Sequence, residues 1–294
     1  MYKLPVWQTI KEGLGFIWTE KRAWFDYALI PIIVATAAPM LIGLLLIGKP
    51  IIGLASEAEA SNLFENLGLR FFVVIGLSAL FSAWLYVAFA VAWHRRYLLG
   101  PQNTSARELL QWSRRHWIFV GRGVGYFLLV AAVLVPLVFV LNLILGSLII
   151  GLGPAGPVLV PVLVIALFTF FFIQIVGLSL VFPAAAIEDS ELGLIAAWTI
   201  SKGNRWRMIG IILVGTFIPT FIIQFVLLAI VAAITVAVGM TVDSSATPSV
   251  SAAIIIELVA QAISFLGIAI GVSMLSIMYR RLRDNVPLET KQTA

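Results

Sequence analysis

The sequence predicts an all-α, polytopic membrane protein with six transmembrane helices. Of the 294 residues, 61% are hydrophobic and only 11% are charged, whereas a soluble domain carries about 25% charged residues. Long runs without charge recur along the chain, and nearly all basic residues fall in the connections on one side of those runs. A soluble fold could not hide this much apolar surface, so these side chains must face lipid or one another.

The charge-free runs set the number of spans, because a helix needs about 20 apolar residues to cross about 30 Å of hydrocarbon. The run at 123–187 is long enough for two spans, and the glycine- and proline-rich segment 151–157 is a natural turn between them. Lipid offers backbone groups no partner, so each span is predicted to be a helix. Within a single transmembrane domain of residues 1–294, the predicted spans lie at about 24–48, 71–95, 121–150, 157–183, 207–238 and 250–279.

Basic residues resist translocation and therefore mark the cytoplasmic side. Only Lys49 and Arg70 of the 19 lysines and arginines fall in connections on the other side, so both termini are predicted to be cytoplasmic. All nine tryptophans except Trp84 lie at that same face. This face is either an ordinary solvated rim or a surface that binds lipid headgroups or an acidic partner. Its candidate binding residues are Arg95, Arg96, Arg114, Arg115, Lys202, Arg205 and Arg207.

Three similar segments predict an internal three-fold repeat. Each pairs tryptophans with basic residues just before an odd-numbered span, at residues 18–24, 112–117 and 198–206. We interpret each unit as an amphipathic helix on the membrane surface followed by a hairpin of two spans. The interfacial helices before spans 1, 3 and 5 are expected near residues 5–22, 104–116 and 190–202.

Local chemistry predicts the ends of two of these helices. Ser105 and Glu108 have the spacing of a capping box, in which the serine caps early amides and the glutamate reaches back. Asp189 and Glu191 are expected to place negative charge at the start of the third interfacial helix. The cation of Lys202, followed by a glycine, is typical of a helix end.

Glu257 is the sharpest candidate for a site inside the membrane. It lies roughly 10 Å inside the sixth predicted span at 1.5 Å per residue, and a carboxylate within a span is costly and suggests a function. Gln261 lies one turn along the same helix face, and Gln224 of the fifth span is placed where it can face both. Two interpretations stay open: a proton- or ion-coupled site, or a hydrogen-bonded group that holds helices together.

Other polar residues carry weaker predictions. Gln174 and Asn142 lie inside spans and are expected to form interhelical hydrogen bonds. His94 and His116 are the only histidines, and neither has a second ligand at a spacing that suits a metal. The chain has no cysteine and no phosphate-loop, dinucleotide or zinc motif. No catalytic residue, metal, cofactor or nucleic-acid partner is therefore predicted.

Residues 181–207 resemble the membrane domain of bacterial glycerophosphoryl diester phosphodiesterases and of related six-span inner-membrane proteins. The resemblance rests on the stretch from Val181 to Glu188 and on the stretch from Ala196 to Arg207, which precedes a span. The segment from Ala92 to Gly100 is similar to a variant found in members without an assigned function. Those enzymes carry a soluble barrel after the membrane domain, and the short segment after the last predicted span is not expected to form one. The resemblance implies the fold and the bacterial inner membrane, without the enzymatic activity.

Three functions compete on these observations. The leading prediction is a non-catalytic inner-membrane protein, an assembly partner or envelope-maintenance module that acts through packed spans and a basic cytoplasmic rim. Its expected partners are membrane lipids and either another membrane protein or a second copy of the chain. The alternative is a transporter or channel for a small solute or ion that uses Glu257. An intramembrane enzyme ranks third, because it requires convergent titratable groups and only Glu257 qualifies.

Overall fold

The computed structural model of this chain describes residues 2–48, 67–151, 156–237 and 250–285. Every regular element in these ranges is helical, and six helical stretches are long and apolar enough to cross a membrane. The predicted all-α, six-span fold is confirmed, and the chain is a polytopic membrane protein.

Two of the six spans contain a local change of helix type, and four are uninterrupted. Span 1 is Lys21–Ile47, span 2 is Leu69–Leu99, span 3 is Arg114–Gly151 and span 6 is Val250–Asn285. Span 4 comprises Gly156–Val176, a 3-10 turn at Gly177–Leu180 and a short helix at Val181–Ala186. Span 5 comprises Arg205–Ile212, a π-helical turn at Leu213–Phe217 and Ile218–Ala237. Outside the spans lie an N-terminal helix at Val6–Thr19, a connecting helix at Leu194–Ile200, and 3-10 turns at Pro101–Asn103 and Ala106–Leu110.

One end of the bundle gathers the first turns of spans 1, 3 and 5 and the last turns of spans 2, 4 and 6. We call it the basic end and define it as residues 2–27, 93–122, 181–212 and 274–285. The N-terminal segment is fastened there by span 5. The buried Asn204 side chain accepts a hydrogen bond from the Leu4 amide at 2.8 Å and donates one to the Tyr2 carbonyl at 2.9 Å. Arg207 donates to the Leu4 carbonyl at 2.8 Å.

Span 6 is the central helix of this end, because it packs on two sides. Met274 belongs to an apolar cluster with Leu180 of span 4. Phe265, less than three turns earlier, belongs to a second cluster with Trp93 of span 2 and Tyr27 of span 1. Lipid is as apolar as these side chains, so close packing rather than removal from water holds such helices together.

The π-helical turn of span 5 lies where three helices approach closely. Pro219 follows the turn and has no N–H, so the carbonyl of Gly215 cannot bond to it and the helix widens. A Cβ at Gly215 would lie 3.0 Å from Ile10 Cγ1 and 3.1 Å from Met274 Cε, and one at Gly13 would lie 2.7 Å from the same methyl carbon. The two glycines therefore let the N-terminal helix and span 5 pack against span 6.

A second close approach joins span 4 to the chain that follows the connecting helix. A Cβ at Gly177 would lie 2.1 Å from Ser201 Oγ and 2.8 Å from Ser201 Cβ. Ser201 is fully buried, and its hydroxyl donates to the Trp198 carbonyl at 3.0 Å. Relief of this overlap requires a backbone shift, so the packing depends on glycine at position 177.

The three predicted interfacial stretches differ in structure. The first is an α-helix, with Ile10 and Gly13 on its buried face and with Trp7 and Trp18 exposed by 68% and 75%. The second contains no α-helix before span 3 begins at Arg114, only 3-10 turns. The third contains the seven-residue connecting helix. The stretches do not share one conformation, so the described residues do not confirm the repeat.

Two predicted helix starts are wrong. Ser105 makes no side-chain capping bond, and Glu108 binds arginines instead of reaching back to the serine amide. The connecting helix begins at Leu194 after Gly193, so Asp189 and Glu191 lie outside it and bind the end of span 6. In both places the carboxylates bind guanidinium groups from other segments instead of amides in the first turn of a helix.

Candidate functional site

Among the described residues of the basic end, five carboxylates bind a cation from a different part of the chain: Glu12, Glu20, Glu108, Asp189 and Glu191. The first is Glu12 of the N-terminal helix. Arg280 and Arg281 of span 6 each donate to it at 2.7 Å, and the hydroxyl of Tyr97 of span 2 also donates to it. The Arg280 guanidinium lies over the Tyr97 ring, 4.6 Å from its centre. One carboxylate therefore joins three helices.

The surroundings of Glu12 favour its charged form. Partial burial alone would raise the pKa of the carboxyl, but the hydrogen bond from Tyr97 and the guanidiniums of Arg281 and Arg280 outweigh it. The pKa of Glu12 is consequently held below its ordinary value. The group is an anchor for arginine rather than a proton donor near neutral pH.

Asp189, in the connection after span 4, is the second carboxylate. Tyr279 of span 6 donates to its Oδ2 at 2.6 Å, and Arg283 Nε donates to the same atom at 3.3 Å. Arg283 also binds Glu191, and Arg122 of span 3 donates to the Asp189 carbonyl at 2.7 Å. Burial opposes ionisation, but Tyr279, the Glu191 amide and Arg283 lower the pKa of Asp189 below its ordinary value.

A strained turn directs Asp189 toward span 6. The amide of Asp189 bonds to the Ala184 carbonyl at 2.8 Å, and the amide of Glu188 bonds to the Ala185 carbonyl at 3.1 Å. This pair of bonds is a Schellman motif, which normally has glycine at the left-handed position. Here that position is Glu188, with φ of 59°. A left-handed non-glycine residue is uncommon and marks a backbone held in place by its surroundings.

Glu108 and Glu20 complete the set. Glu108 Oε2 binds Arg95 Nε at 3.2 Å and Arg115 Nη1 at 3.1 Å, which joins span 2 to the start of span 3. Glu20 Oε2 binds Arg96 Nη2 at 2.6 Å, which joins span 2 to the start of span 1. The adjacent Arg95 and Arg96 thus bind two different segments of the chain.

Most of the predicted headgroup or partner rim is engaged inside the protein. Arg95, Arg96 and Arg115 form these ion pairs, and Arg207 binds the Leu4 carbonyl. Arg205 stacks 3.6 Å from the centre of the Trp198 ring and donates to the Trp198 carbonyl and to Gln174. Arg114 and Lys202 are exposed and form no bond within the described residues.

The tryptophans divide into exposed and buried sets. Trp117 and Trp206 are each exposed by 65%, like Trp7 and Trp18 of the N-terminal helix. Trp93 is fully buried, stacks on Phe89 and donates to Ser273 at 2.9 Å. The exposed indoles suit a membrane interface, whereas Trp93 belongs to the core.

The predicted intramembrane site is a chain of hydrogen bonds. Gln261 Nε2 donates to Glu257 Oε1 at 2.8 Å, and Tyr86 of span 2 donates to Gln261 Oε1 at 3.0 Å. Gln224 does not belong to this chain: its side chain is exposed on span 5 and forms no bond within the described residues. Sequence reasoning missed Tyr86, because nothing in the sequence says that spans 2 and 6 are neighbours.

The weaker polar predictions have mixed outcomes. Gln174 of span 4 accepts a bond from Arg205 of span 5, so its predicted interhelical bond is confirmed. The Asn142 side chain lies outside the described side chains. His94 is buried against Ser276, with Nδ1 2.7 Å from Oγ, and His116 Nδ1 accepts from the Ser113 amide at 3.1 Å. No group of three potential metal ligands occurs among the described residues.

The carboxylate anchors were also missed by sequence reasoning, although a signal was present. Glu12, Glu20, Glu108 and Asp189 all lie in segments predicted to be on the basic side, among arginines. Acidic residues there are available to pair with the excess cations.

Comparison with protein-family models, with curated proteins and with solved structures found no match to this chain. The resemblance to phosphodiesterase membrane domains therefore stays a prediction.

Proposed function

We propose that this chain is a non-catalytic protein of a bacterial inner membrane, with both termini in the cytoplasm. It acts as an assembly partner or envelope-maintenance module. One observation carries the proposal: the charged groups of the basic end are used to hold helices together. Glu12, Glu20, Glu108 and Asp189 each bind arginine from another segment. Such bracing suits a rigid platform.

The exposed surface of the spans supports the same proposal. Span 3 exposes a series of large apolar side chains along its length: Phe127, Leu128, Val135 and Phe139. Spans 4 and 5 expose Ile165 and Phe170, and Phe221 and Phe225, in the same way. A rigid basic end with apolar helices projecting from it offers lipid or another membrane protein a long lateral surface.

The proposed orientation rests on charge and is tested by reporter fusions. The basic residues at the starts of spans 1, 3 and 5 and at the end of span 6 all lie at the basic end. Positively charged segments stay in the cytoplasm. A reporter active only outside the cytoplasm should be silent when fused at Gly100 or Gly203. It should be active at Ser61, Gly153 or Ser245. Activity at Gly203 would contradict the proposed topology.

The function itself is tested by purification in mild detergent with quantitative mass spectrometry. A tagged wild-type chain should retain one membrane protein at near-stoichiometric amounts. A Glu12→Gln variant, in which the anchor of the N-terminal helix is weakened, should retain less of it at equal expression. An exposed-site variant, Lys202→Gln, is the matched control and should retain the wild-type amount. Recovery of the chain without a stoichiometric companion, even after cross-linking in membranes, would contradict the assembly role.

A transporter that uses Glu257 is the second candidate, favoured by the hydrogen-bonded chain from Glu257 through Gln261 to Tyr86. The same hydrogen bonds are also expected if Glu257 only joins helices, because they give its carboxylate a partner on span 6 that is itself bound to span 2. Purified protein in liposomes distinguishes the two: a proton or cation flux that Glu257→Gln abolishes would favour transport and replace the assembly proposal.

A further inference from the structure

A polar cleft lies at the basic end beside the Glu20–Arg96 ion pair. Its volume is about 310 Å³, at the lower end of the range for small-molecule pockets. It lies between the first turns of span 1, the end of span 2 and the segment before the 3-10 turn at Ala106–Leu110. The lining side chains that matter to the argument are Glu20, Arg22, Asp26, Tyr27, Arg96 and Ser105.

The cleft presents both signs of charge. Arg96 and Glu20 already pair with each other at 2.6 Å. Arg22 and Asp26 are exposed, and neither forms an ion pair or hydrogen bond within the described residues. They are four residues apart on one helix, so they lie on the same face with Cβ atoms about 6 Å apart. A free cation and a free anion at this separation complement a molecule that carries both charges.

Two hydroxyl groups at the cleft lack partners. Tyr27 is only 3% exposed, and its hydroxyl has no hydrogen-bond partner in the part of the chain that the structure describes. A buried donor left unpaired is costly, and a ligand acceptor would relieve it once the Tyr27 side chain turns toward the cleft, because the hydroxyl oxygen now has less than 1 Å² of accessible surface. Ser105 forms no capping bond, and its hydroxyl is likewise available. Hydroxyl and guanidinium donors together are the groups that bind phosphate oxygens.

The position of the cleft identifies the source of its ligand. Span 1 begins at Lys21, so Arg22 and Asp26 lie in its first two turns. Trp18 beside them is exposed by 75%, and exposed tryptophans mark the headgroup level of a membrane. A ligand at this depth is drawn from the lipid.

We propose that this cleft binds the headgroup of a zwitterionic phospholipid, a phosphate joined to an ammonium group. The phosphate binds Arg22, with the hydroxyls of Tyr27 and Ser105 as further donors. The ammonium binds Asp26. The two guanidiniums and two carboxylates of the lining cancel, so a headgroup with net negative charge gains less from this cleft. The inference is independent of the assembly role, because it concerns one lipid on a single chain.

The test is native mass spectrometry of delipidated protein in detergent, titrated with phosphatidylethanolamine or phosphatidylglycerol of identical acyl chains. The wild type should bind the first lipid about tenfold more tightly than the second, as expected for one additional charge-assisted bond. Arg22→Gln should weaken phosphatidylethanolamine binding about tenfold. Asp26→Asn should remove the preference between the two lipids. Equal affinity of the wild type for both lipids would overturn the proposal.

Matched controls separate the cleft from general surface charge. Arg114→Gln and Asp284→Asn remove an exposed cation and an exposed anion elsewhere on the basic end, and both should bind like the wild type. Tyr27→Phe removes only the unpaired hydroxyl, so it should fold at least as well as the wild type while binding more weakly. Wild-type binding by both Tyr27→Phe and Arg22→Gln would refute the site. Soluble phosphoethanolamine should not displace the lipid at equal concentration, and full displacement would refute a lipid source.

Discussion

Substitution of Gly177 by alanine should destabilise the bundle strongly. The added Cβ would lie 2.1 Å from Ser201 Oγ and 2.8 Å from Ser201 Cβ, far inside contact distance. Overpacking of a filled interior costs about 1–3 kcal/mol. We expect about 3 kcal/mol here, because Ser201 is fully buried and its Cβ cannot rotate away. At about 2–4 °C per kcal/mol for a large domain, the melting temperature should fall by about 6–12 °C.

The assay is thermal unfolding in mild detergent, followed by tryptophan fluorescence and by the fraction that stays monodisperse after heating. Gly76→Ala and Gly121→Ala are matched controls, because a Cβ at either position meets no atom within 4 Å. Both should be neutral or slightly stabilising, since alanine favours helix over glycine.

A double variant tests the stated cause. Ser201→Gly removes both overlapping atoms, so Gly177→Ala should cost at least about 2 kcal/mol less in that background. Steric overlap with Ser201 is refuted as the cause if Gly177→Ala has the same melting temperature as the two control variants. It is also refuted if Gly177→Ala is as destabilising in the Ser201→Gly background as in the wild type.

Three further predictions concern carboxylates. Glu257→Gln keeps the hydrogen-bonding shape of the side chain without its charge, so it should leave melting and growth phenotype unchanged. Glu188→Gly should stabilise the protein by about 0.5–1 kcal/mol in thermal unfolding, because glycine occupies the left-handed region without strain. The pKa values of Glu12 and Asp189 are lowered on folding, so their contribution is complete above the unfolded pKa values and lost as pH falls through the folded ones. Melting temperature should therefore drop on acidification below about pH 4, and less steeply in Glu12→Gln.

Each of these has an outcome that contradicts it. Loss of phenotype at normal expression in Glu257→Gln would favour a titrating site. Equal melting of Glu188→Gly and Glu188→Ala would show that the left-handed backbone is not strained. A pH profile of Glu12→Gln that parallels the wild type between pH 3 and 5, values at which carboxyl groups titrate (about 4), would remove Glu12 from the acid response.

The sequence predicted the spans because apolar length is a local property of the chain. It also predicted the contact between Glu257 and Gln261, since residues four apart share a helix face. The contact of Gln261 with Tyr86 depends on which spans are neighbours, and no local pattern contains that information. The prediction that Gln224 faces Glu257 and Gln261 was wrong for the same reason. The position along span 5 indicates depth in the membrane, but it does not indicate which way the helix is rotated, and the Gln224 side chain points outward.

The capping predictions were wrong because they considered a single segment of the chain. Ser105 and Glu108 have correct spacing for a capping box, but that pattern considers one segment alone. Arg95 and Arg115 come from two other segments and bind Glu108 first. All seven predicted rim residues lie on the basic end, whereas the partners that several of them bind could be identified only from the tertiary structure.

The arginines and tyrosine at the end of span 6 have a consequence for biogenesis. Arg280 lies 268 positions after Glu12, and Tyr279 lies 90 positions after Asp189. Translation proceeds at about 5–20 residues per second. Several seconds at least therefore pass between the synthesis of Glu12 and that of its partners Arg280 and Arg281. The N-terminal helix is made first, whereas its ion pairs with Arg280 and Arg281 form only after the final turn of span 6 has been made. A chain that stops short of this turn would keep the bonds of the N-terminal segment to span 5 and to Tyr97 and would lack only its ion pairs to span 6.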